Sequence, residues 1–211
     1  MLNLAHRLDR WEQMVKEFDG KCKLIKADCV MVYDQNLSKR DRAYRGVAYT
    51  HIKLIQEAKE RGDKTLLVLE DDCKLIDNTS WGRWLRLKKW CDSNMDKWEI
   101  FNPGVIMYSK VEEVIRYDEM YINKIYGGGG SHFIYFNVEK AYQKVLDWVI
   151  DKQDIDAYYL QKFNCWGSYP SIAVQRDGFS DIQEEDKKWS AFNQRSENNG
   201  LNLIGDFLLY Y

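Results

Sequence analysis

The stretch Thr65–Leu69, TLLVL, followed at once by Glu70-Asp71-Asp72, decides the fold. The residues after Thr65 are continuously apolar rather than alternating, which is typical of a strand buried on both faces. The acidic triplet stands directly at the carboxyl end of that strand. Because ligands gather at the carboxyl ends of strands in sheets covered by helices, we predict that the triplet lies on the rim of a binding site.

Helical and strand-like patterns alternate on both sides of this strand. A strand over 2–4, a helix over 8–18 and a strand over 22–27 are followed by a polar loop over 34–42 and a helix over 43–58. This order predicts an α/β fold with a mixed, mostly parallel central sheet flanked by helices. The later expectations are a helix around 81–88, a strand over 100–107, two apolar stretches within 121–137, a helix over about 138–150, a strand over 171–175, a polar stretch over 183–199 and an apolar ending over 201–211.

Length and charge restrict the class of protein. The 211 residues fit one domain, which we divide into halves of about 1–110 and about 111–211. The net charge of −2 supplies no general attraction for nucleic acid. The apolar ending is consistent with a domain cut from a longer polypeptide, and a C-terminal edge strand would give the same pattern.

Cysteine usage and hydropathy indicate the compartment. The five cysteines are an odd number without metal-site spacing, so we expect reduced, mostly buried thiols and a cytoplasmic location. No window approaches the roughly 18 apolar residues that a membrane span needs, and the first residues lack the apolar run of a signal peptide.

The triplet has a specific chemistry. Three adjacent carboxylates repel one another unless a cation neutralises them, and carboxylate oxygens suit Mg²⁺ or Mn²⁺. A metal held there would stabilise the charge that develops on a leaving diphosphate. The alternative is a solvated acidic turn that binds nothing. The rigid strand before the triplet favours the binding site.

Other residues are predicted on the same rim because they follow the first two strands. Ala5 and Arg7 follow the first strand, and Arg7 and Arg10 bracket the start of the first helix, where phosphate binds readily. Surface ion pairing with nearby acids is the alternative for both arginines. Asp28 ends the second strand and would accept hydrogen bonds from a ribose or base, or cap a turn. The run Gly127–Gly130 lacks the dinucleotide-binding spacing and indicates a close backbone approach or a flexible turn.

The order of these motifs resembles glycosyltransferase family 25, the lipopolysaccharide and collagen-type sugar transferases. The resemblance rests on Asn3-Leu4-x-x-Arg7-x-Asp9-Arg10-Trp11, then Ala27-Asp28, Gly46 with Thr50-His51, and Leu69-Glu70-Asp71-Asp72, which is similar to the Asp-x-Asp motif. It spans roughly residues 2–182 and is strongest over the first 75 positions. The chain also resembles the short glycosyltransferase domains that large algal viruses use to decorate capsid glycoproteins, which would place it in the host cytoplasm.

The resemblance implies a GT-A fold, a nucleotide-diphosphate sugar donor, with a UDP sugar expected, and a divalent metal, Mn²⁺ or Mg²⁺. Carried over, Asp72 is the principal metal ligand, with Asp71 and Glu70 assisting or contacting the ribose. The nucleotide would be flanked by Leu4, Arg7 and Asp28. Arg45 stands where a cation would meet the diphosphate. The resemblance assigns the half over about 1–110 to the nucleotide sugar and the half over about 111–211 to the acceptor. The Gly127–Gly130 run departs from the family's more varied segment and leaves the acceptor side open.

The expected reaction moves a sugar to a hydroxyl of a glycan or glycoprotein acceptor. An inverting enzyme also needs a carboxylate base, for which Asp154, Asp156 and Asp181 are candidates and Asp156 is favoured. A retaining enzyme needs no such base. Two rivals stay open: a nucleotidyltransferase that makes sugar nucleotides, and a non-catalytic module that binds sugar or protein. The first would need a glycine-bearing phosphate loop after the first strand, and Ala5-His6-Arg7-Leu8 has no glycine.

Overall fold

The computed structural model describes residues 1–105, 108–151, 154–180 and 185–210, which form six helices and twelve strands. The helices are α1 Leu8–Phe18, α2 Lys39–Glu60, α3 Ser80–Ser93, α4 Val138–Asp151, α5 Ile155–Lys162 and α6 Trp189–Tyr210. The strands are β1 Leu2–Asn3, β2 Ala27–Asp28, β3 Thr65–Leu69, β4 Cys73–Leu75, β5 Ile100–Phe101, β6 Lys110–Tyr117, β7 Met120–Tyr126, β8 Phe133–Asn137, β9 Cys165–Tyr169, β10 Ala173–Gln175, β11 Gly178–Ser180 and β12 Glu185–Lys187.

The central sheet has six strands in the order β3-β8-β5-β9-β7-β6. The expectation of an α/β fold with a mixed sheet is confirmed. The expectation of a mostly parallel sheet is wrong for this sheet, because among the described strands only β5 and β9 pair in parallel within it. Strand β8 enters antiparallel between β3 and β5, and β6 and β7 form an antiparallel hairpin.

Strand direction nevertheless brings several carboxyl ends to one edge. The strands β1 and β2 pair in parallel, and Leu2 forms a parallel bridge with Glu70 just beyond β3. Since β8 is antiparallel to both β3 and β5, these two strands run the same way, and β9 follows β5. The carboxyl ends of β1, β2, β3, β5 and β9 therefore point in one direction, as the sequence argument requires.

Both faces of β3 are covered, which explains its continuous apolar sequence. Val68 belongs to a core shared with α2, α4 and α5, whereas Leu69 belongs to a core shared with α1 and α3. The neighbouring β8 alternates in the same way: Ile134 and Phe136 face the first core, and Phe133 and Tyr135 face the second. The continuous apolar sequence of β3 thus indicates that both of its faces are buried, and it does not indicate the direction of the neighbouring strand.

Several boundaries differ from the expectations. Strand β2 occupies only Ala27–Asp28, and α2 begins at Lys39, inside the predicted loop over 34–42. The chain from Trp189 to Tyr210 is one helix, so the alternative of an edge strand at the apolar ending is wrong. Most of the polar stretch over 183–199 belongs to this helix, and residues 183 and 184 lie outside the described residues. Part of the predicted strand over 100–107 lies outside the described residues, and β5 covers Ile100–Phe101.

All five cysteines are free thiols, and three of them, Cys73, Cys91 and Cys165, are buried as expected. Burial raises the pKa of the Cys73 thiol well above its usual value. Within the described ranges, no helix combines the length and the apolar character needed to cross a membrane.

Candidate functional site

A cleft of about 1040 Å³ opens at the edge where the carboxyl ends of β1, β2 and β3 lie. A cavity of this size is large enough for a nucleotide-sized ligand. Six of the residues predicted for the site line it: Leu4, Arg10, Glu70, Asp71, Asp72 and Asp156. The fold therefore collects acidic side chains from two distant parts of the sequence on one surface.

The remaining predicted residues that the structure describes do not line the cleft. Ala5 is exposed, and Arg7 makes a two-pronged ion pair with Asp9, with nitrogen–oxygen distances of 3.0 and 2.9 Å. The Asp28 side chain is 71% exposed, and Arg45 lies on α2 outside the lining. Asp154, at the start of α5, is also exposed and outside the lining. Asp181 lies outside the described residues.

Asp71 is the paired member of the triplet. The Asn3 amide donates to its Oδ2 at 2.9 Å, and the Arg10 guanidinium donates to its Oδ1 at 2.6 Å. Asn3 reaches Asp71 because β1 lies beside the end of β3. Arg10 also donates to the carbonyl of Phe179 on β11. With one donor already on each oxygen, Asp71 has a clear structural role; each oxygen keeps a further acceptor position, so its predicted role as a metal ligand stays a prediction.

Asp72 is the unpaired member. Its Oδ1 atom is buried with no hydrogen-bond partner in the described chain, and Gln175 approaches its Oδ2 only at 3.4 Å. Burial raises the pKa of Asp72 to about 6; Arg10 opposes this shift, and the charge of Asp71 adds to it. A buried carboxylate oxygen without a donor is costly unless a cation completes it. The donor chemistry of Asp72 therefore fits a hard divalent metal.

Glu70 completes the acidic surface. Its Oε1 accepts a hydrogen bond of 2.5 Å from the Ser131 hydroxyl. Burial and the charge of Asp72 raise the pKa of Glu70 to about 8, a shift that the Ser131 hydrogen bond opposes. Within the described residues, no group of three or more His, Cys, Asp or Glu side chains forms a ready-made metal site. A metal here would depend on one or two carboxylates together with ligand phosphates, an arrangement common for Mg²⁺.

The four-glycine run forms a loop along the cleft, with Gly128–Gly130 in its lining. Gly127, Gly128 and Gly130 have φ angles of 66°, 96° and 94°, which a residue with a side chain adopts only under strain. The Gly130 amide donates to Asp156 Oδ2 at 2.9 Å. A β-carbon on Gly129 would lie 3.1 Å from the same oxygen. The glycines therefore allow the backbone to wrap closely around Asp156.

Two cations of the cleft were missed by the sequence argument. Lys39 and Arg42 line it from the first turns of α2, where the prediction had placed a loop and favoured Arg45. The start of α2 is readable in retrospect: the Ser38 hydroxyl accepts from the Asp41 amide at 3.0 Å, a capping pattern with the spacing S-x-x-D. A helix from residue 39 places 39, 42, 43, 46 and 47 on one face, and all five line the cleft.

Residues 29–33, which follow β2, form an apolar wall of the cleft and were not predicted as part of the site. It crosses α2 at Gly46, where a β-carbon would lie 2.5 Å from the Val30 carbonyl oxygen. The Val30 amide donates to the Thr50 hydroxyl at 2.8 Å. Gly46 and Thr50 thus fix this wall, which ends at Tyr33, a side chain that is 81% exposed.

Comparison with protein-family models finds no match to this sequence, and comparison with curated proteins finds no significant match. The functional interpretation therefore rests on the residues of the cleft.

Proposed function

We propose that the chain is a metal-dependent glycosyltransferase that takes a nucleotide-diphosphate sugar, with a UDP sugar as the leading donor, and transfers the sugar to a hydroxyl of a glycan or glycoprotein. The observation that carries the proposal is the composition of one cleft. The partnerless buried oxygen of Asp72 and the cations Lys39 and Arg42 line the same cavity of about 1040 Å³. A metal-bound diphosphate would offer its metal to Asp72 and its phosphate oxygens to the two cations.

Each wall of the cleft has a part in this proposal. Asp72 is the principal metal ligand, and the metal, when bound, would neutralise charge on the departing diphosphate. Lys39 and Arg42, at the positive end of α2, would hold phosphate oxygens. The apolar segment 29–33 offers a surface for the nucleotide base, and Glu70 offers a carboxyl group to the ribose. The edge formed by β1, β2 and β3 is also what supports a GT-A type of fold and a place in glycosyltransferase family 25.

Asp156 is the proposed general base for an inverting transfer. It lines the cleft, whereas the alternative Asp154 does not. Its Oδ1 accepts from the Ala157 amide and its Oδ2 from the Gly130 amide, both at 2.9 Å. These bonds orient the carboxylate and leave each oxygen a further acceptor position. In Asp156→Asn, we expect transfer to fall at least about 100-fold while UDP affinity changes less than about threefold. Equal losses of UDP binding and sugar transfer would show that Asp156 only holds the glycine loop in place and is not the base.

The proposal is tested by titrating UDP into the protein by calorimetry with and without Mn²⁺, followed by product analysis on a panel of nucleotide sugars. We expect binding that requires the metal and transfer or hydrolysis of one sugar. The absence of metal-dependent UDP binding would favour a non-catalytic module. Formation of a nucleotide sugar from a nucleoside triphosphate and a sugar phosphate would instead identify a nucleotidyltransferase.

A further inference from the structure

A buried polar pair lies directly behind Glu70, away from the cleft. His51 on α2 and Tyr159 on α5 are 0% and 1% exposed. The Tyr159 hydroxyl lies 2.9 Å from His51 Nδ1. Phe136 packs against both rings in edge-on contacts, with centroid distances of 6.1 Å to His51 and 5.5 Å to Tyr159. Polar groups in such an apolar setting are costly unless their hydrogen bonds are satisfied.

The protonation of this pair follows from its burial. Burial lowers the pKa of His51 to about 3, so the ring is neutral and only one of its nitrogens carries a hydrogen. Burial also keeps the pKa of Tyr159 well above its usual value, so the phenol retains its hydrogen. Among the described residues, the Tyr159 hydroxyl has no other acceptor than His51 Nδ1. Donation from Tyr159 to Nδ1 places the imidazole hydrogen on Nε2.

The Nε2 atom of His51 lies near the Glu70 carboxyl group of the cleft. It is buried without a hydrogen-bond partner and lies 3.9 Å from Glu70 Oε1. That distance is too long for a hydrogen bond, and a movement of about 1 Å would close it. Ser131 already donates to the same oxygen at 2.5 Å. Glu70 therefore has one hydrogen-bond donor in contact and a second donor just beyond hydrogen-bond distance.

We propose that His51 is a positioning residue of the cleft, whose Nε2–H, held in place by Tyr159, meets the Glu70 carboxyl group when a nucleotide draws Glu70 into its bound position. This inference rests on the proposed function, because it assigns His51 to nucleotide binding through Glu70. Neither His51 nor Tyr159 lines the cleft, so both act on the ligand indirectly, through Glu70.

Two substitutions of His51 separate a donor role from simple packing. The amide nitrogen of Gln can occupy the place of Nε2 and that of Asn the place of Nδ1, so His51→Gln keeps a donor toward Glu70 and His51→Asn does not. In calorimetric titration of UDP with Mn²⁺, we expect the dissociation constant to rise about tenfold in His51→Asn. In His51→Gln it should stay within about threefold of the wild-type value. Ile55→Val, a core change on the same helix, serves as the packing control and should bind as the wild type does.

A second variant and a spectroscopic measurement cover the case in which His51→Asn does not fold. Long-range ¹H–¹⁵N spectra of the three histidines should show His51 as the neutral Nε2–H form in the wild type. In Tyr159→Phe, that form should give way to a mixture of both neutral forms, with UDP binding several-fold weaker.

The outcomes are distinguishable. A wild-type protein that binds UDP with Mn²⁺ while both His51 variants bind equally well overturns the inference and leaves the proposed function standing. An Nδ1–H form in the wild type overturns it as well. If the wild type itself shows no metal-dependent UDP binding, the proposed function fails, and the inference fails with it.

Discussion

Charged side chains lie at both ends of β3, but they are largely buried at the carboxyl end and exposed at the amino end. At the carboxyl end, the cleft holds Asp72 with a buried, partnerless oxygen and Asp71 bound by Arg10. At the amino end, a smaller cavity of about 580 Å³ is lined by charged residues from α2, α4 and the turn before β3. There, Asp63 pairs with Arg61 at 2.8 Å, with side chains 40% and 55% exposed. Lys59 and Glu139 form another surface pair.

This difference shows why charge alone does not define a site. Exposed ion pairs at the amino end are already solvated, contribute little to stability and have no unmet requirement for a ligand. At the carboxyl end, neighbouring strands and α1 enclose the triplet, so its charges depend on specific partners. An unmet carboxylate oxygen in a large cleft is a structural reason to expect a cation. Matched changes of Arg10 and Arg61, and of Asp72 and Asp63, test this difference.

The largest stability effect is expected from acid acting on the cleft end. His132 follows the glycine loop, is fully buried, and has its pKa lowered by burial from 6.5 to about 4. Below pH 6.5, His132 binds a proton in the unfolded chain but stays neutral in the native state, so the free energy of unfolding falls until about pH 4. The difference amounts to about 3 kcal/mol. Urea unfolding of the wild type and of His132→Gln should show that the variant loses about this much less stability between pH 7.5 and 4.

The control for that experiment is Ile55→Val, a core change that leaves all three histidines in place. This variant should retain the wild-type pH dependence. Parallel pH curves for the wild type and His132→Gln would contradict the burial argument for His132.

A somewhat smaller effect is expected from removing the arginine at each end. Arg10 and Asp71 are 15% and 12% exposed, so Arg10→Ala leaves a largely buried carboxylate without its cation. We expect a loss of about 2 kcal/mol in the free energy of unfolding. Arg61→Ala breaks an exposed pair and should cost less than about 0.5 kcal/mol. Similar losses in chemical denaturation would show that the two ends do not differ as described.

The smallest expected effect is a gain in stability, and it comes from replacing Asp72. The pKa of Asp72 is raised in the folded state to about 6, so its contribution to stability is present at low pH and is lost as the pH rises through that value. In metal-free protein at pH 8, Asp72→Asn should therefore increase the free energy of unfolding by about 1 kcal/mol. Asp63→Asn should change it by less than about 0.5 kcal/mol. The gain for Asp72→Asn should disappear near pH 4, and a loss at pH 8 would contradict the account.

The sequence was most informative where local pattern and topology agree. The run TLLVL identified a strand covered on both faces, and its position identified the rim that carries Glu70, Asp71 and Asp72. Sequence could not give the direction of β8, because antiparallel and parallel neighbours bury the same side chains. It also could not tell which member of the triplet is paired, since Asn3 and Arg10 reach Asp71 only in the folded chain.

Other differences between the predicted and the observed site have identifiable physical causes. The capping serine, Ser38, was overlooked, so the predicted start of α2 came too late and left Lys39 and Arg42 in a loop, while Arg45 was carried over from the family resemblance. Segment 29–33 carries little periodic pattern, and its place in the cleft depends on the glycine at position 46, where α2 lets it pass. Asp28 was placed correctly at a strand end, but its side chain points to solvent, a choice that strand position does not determine.

The central claim is that Asp72 holds the metal through which a nucleotide diphosphate binds at the cleft end of β3. Its most direct test is a calorimetric titration of UDP in the presence of Mn²⁺, on the wild type, on Asp72→Ala and on the far-end control Asp63→Ala. We predict that Asp72→Ala weakens metal-dependent binding at least about 100-fold with the fold intact by circular dichroism, while Asp63→Ala binds as the wild type does. Wild-type affinity in a folded Asp72→Ala protein would contradict the claim.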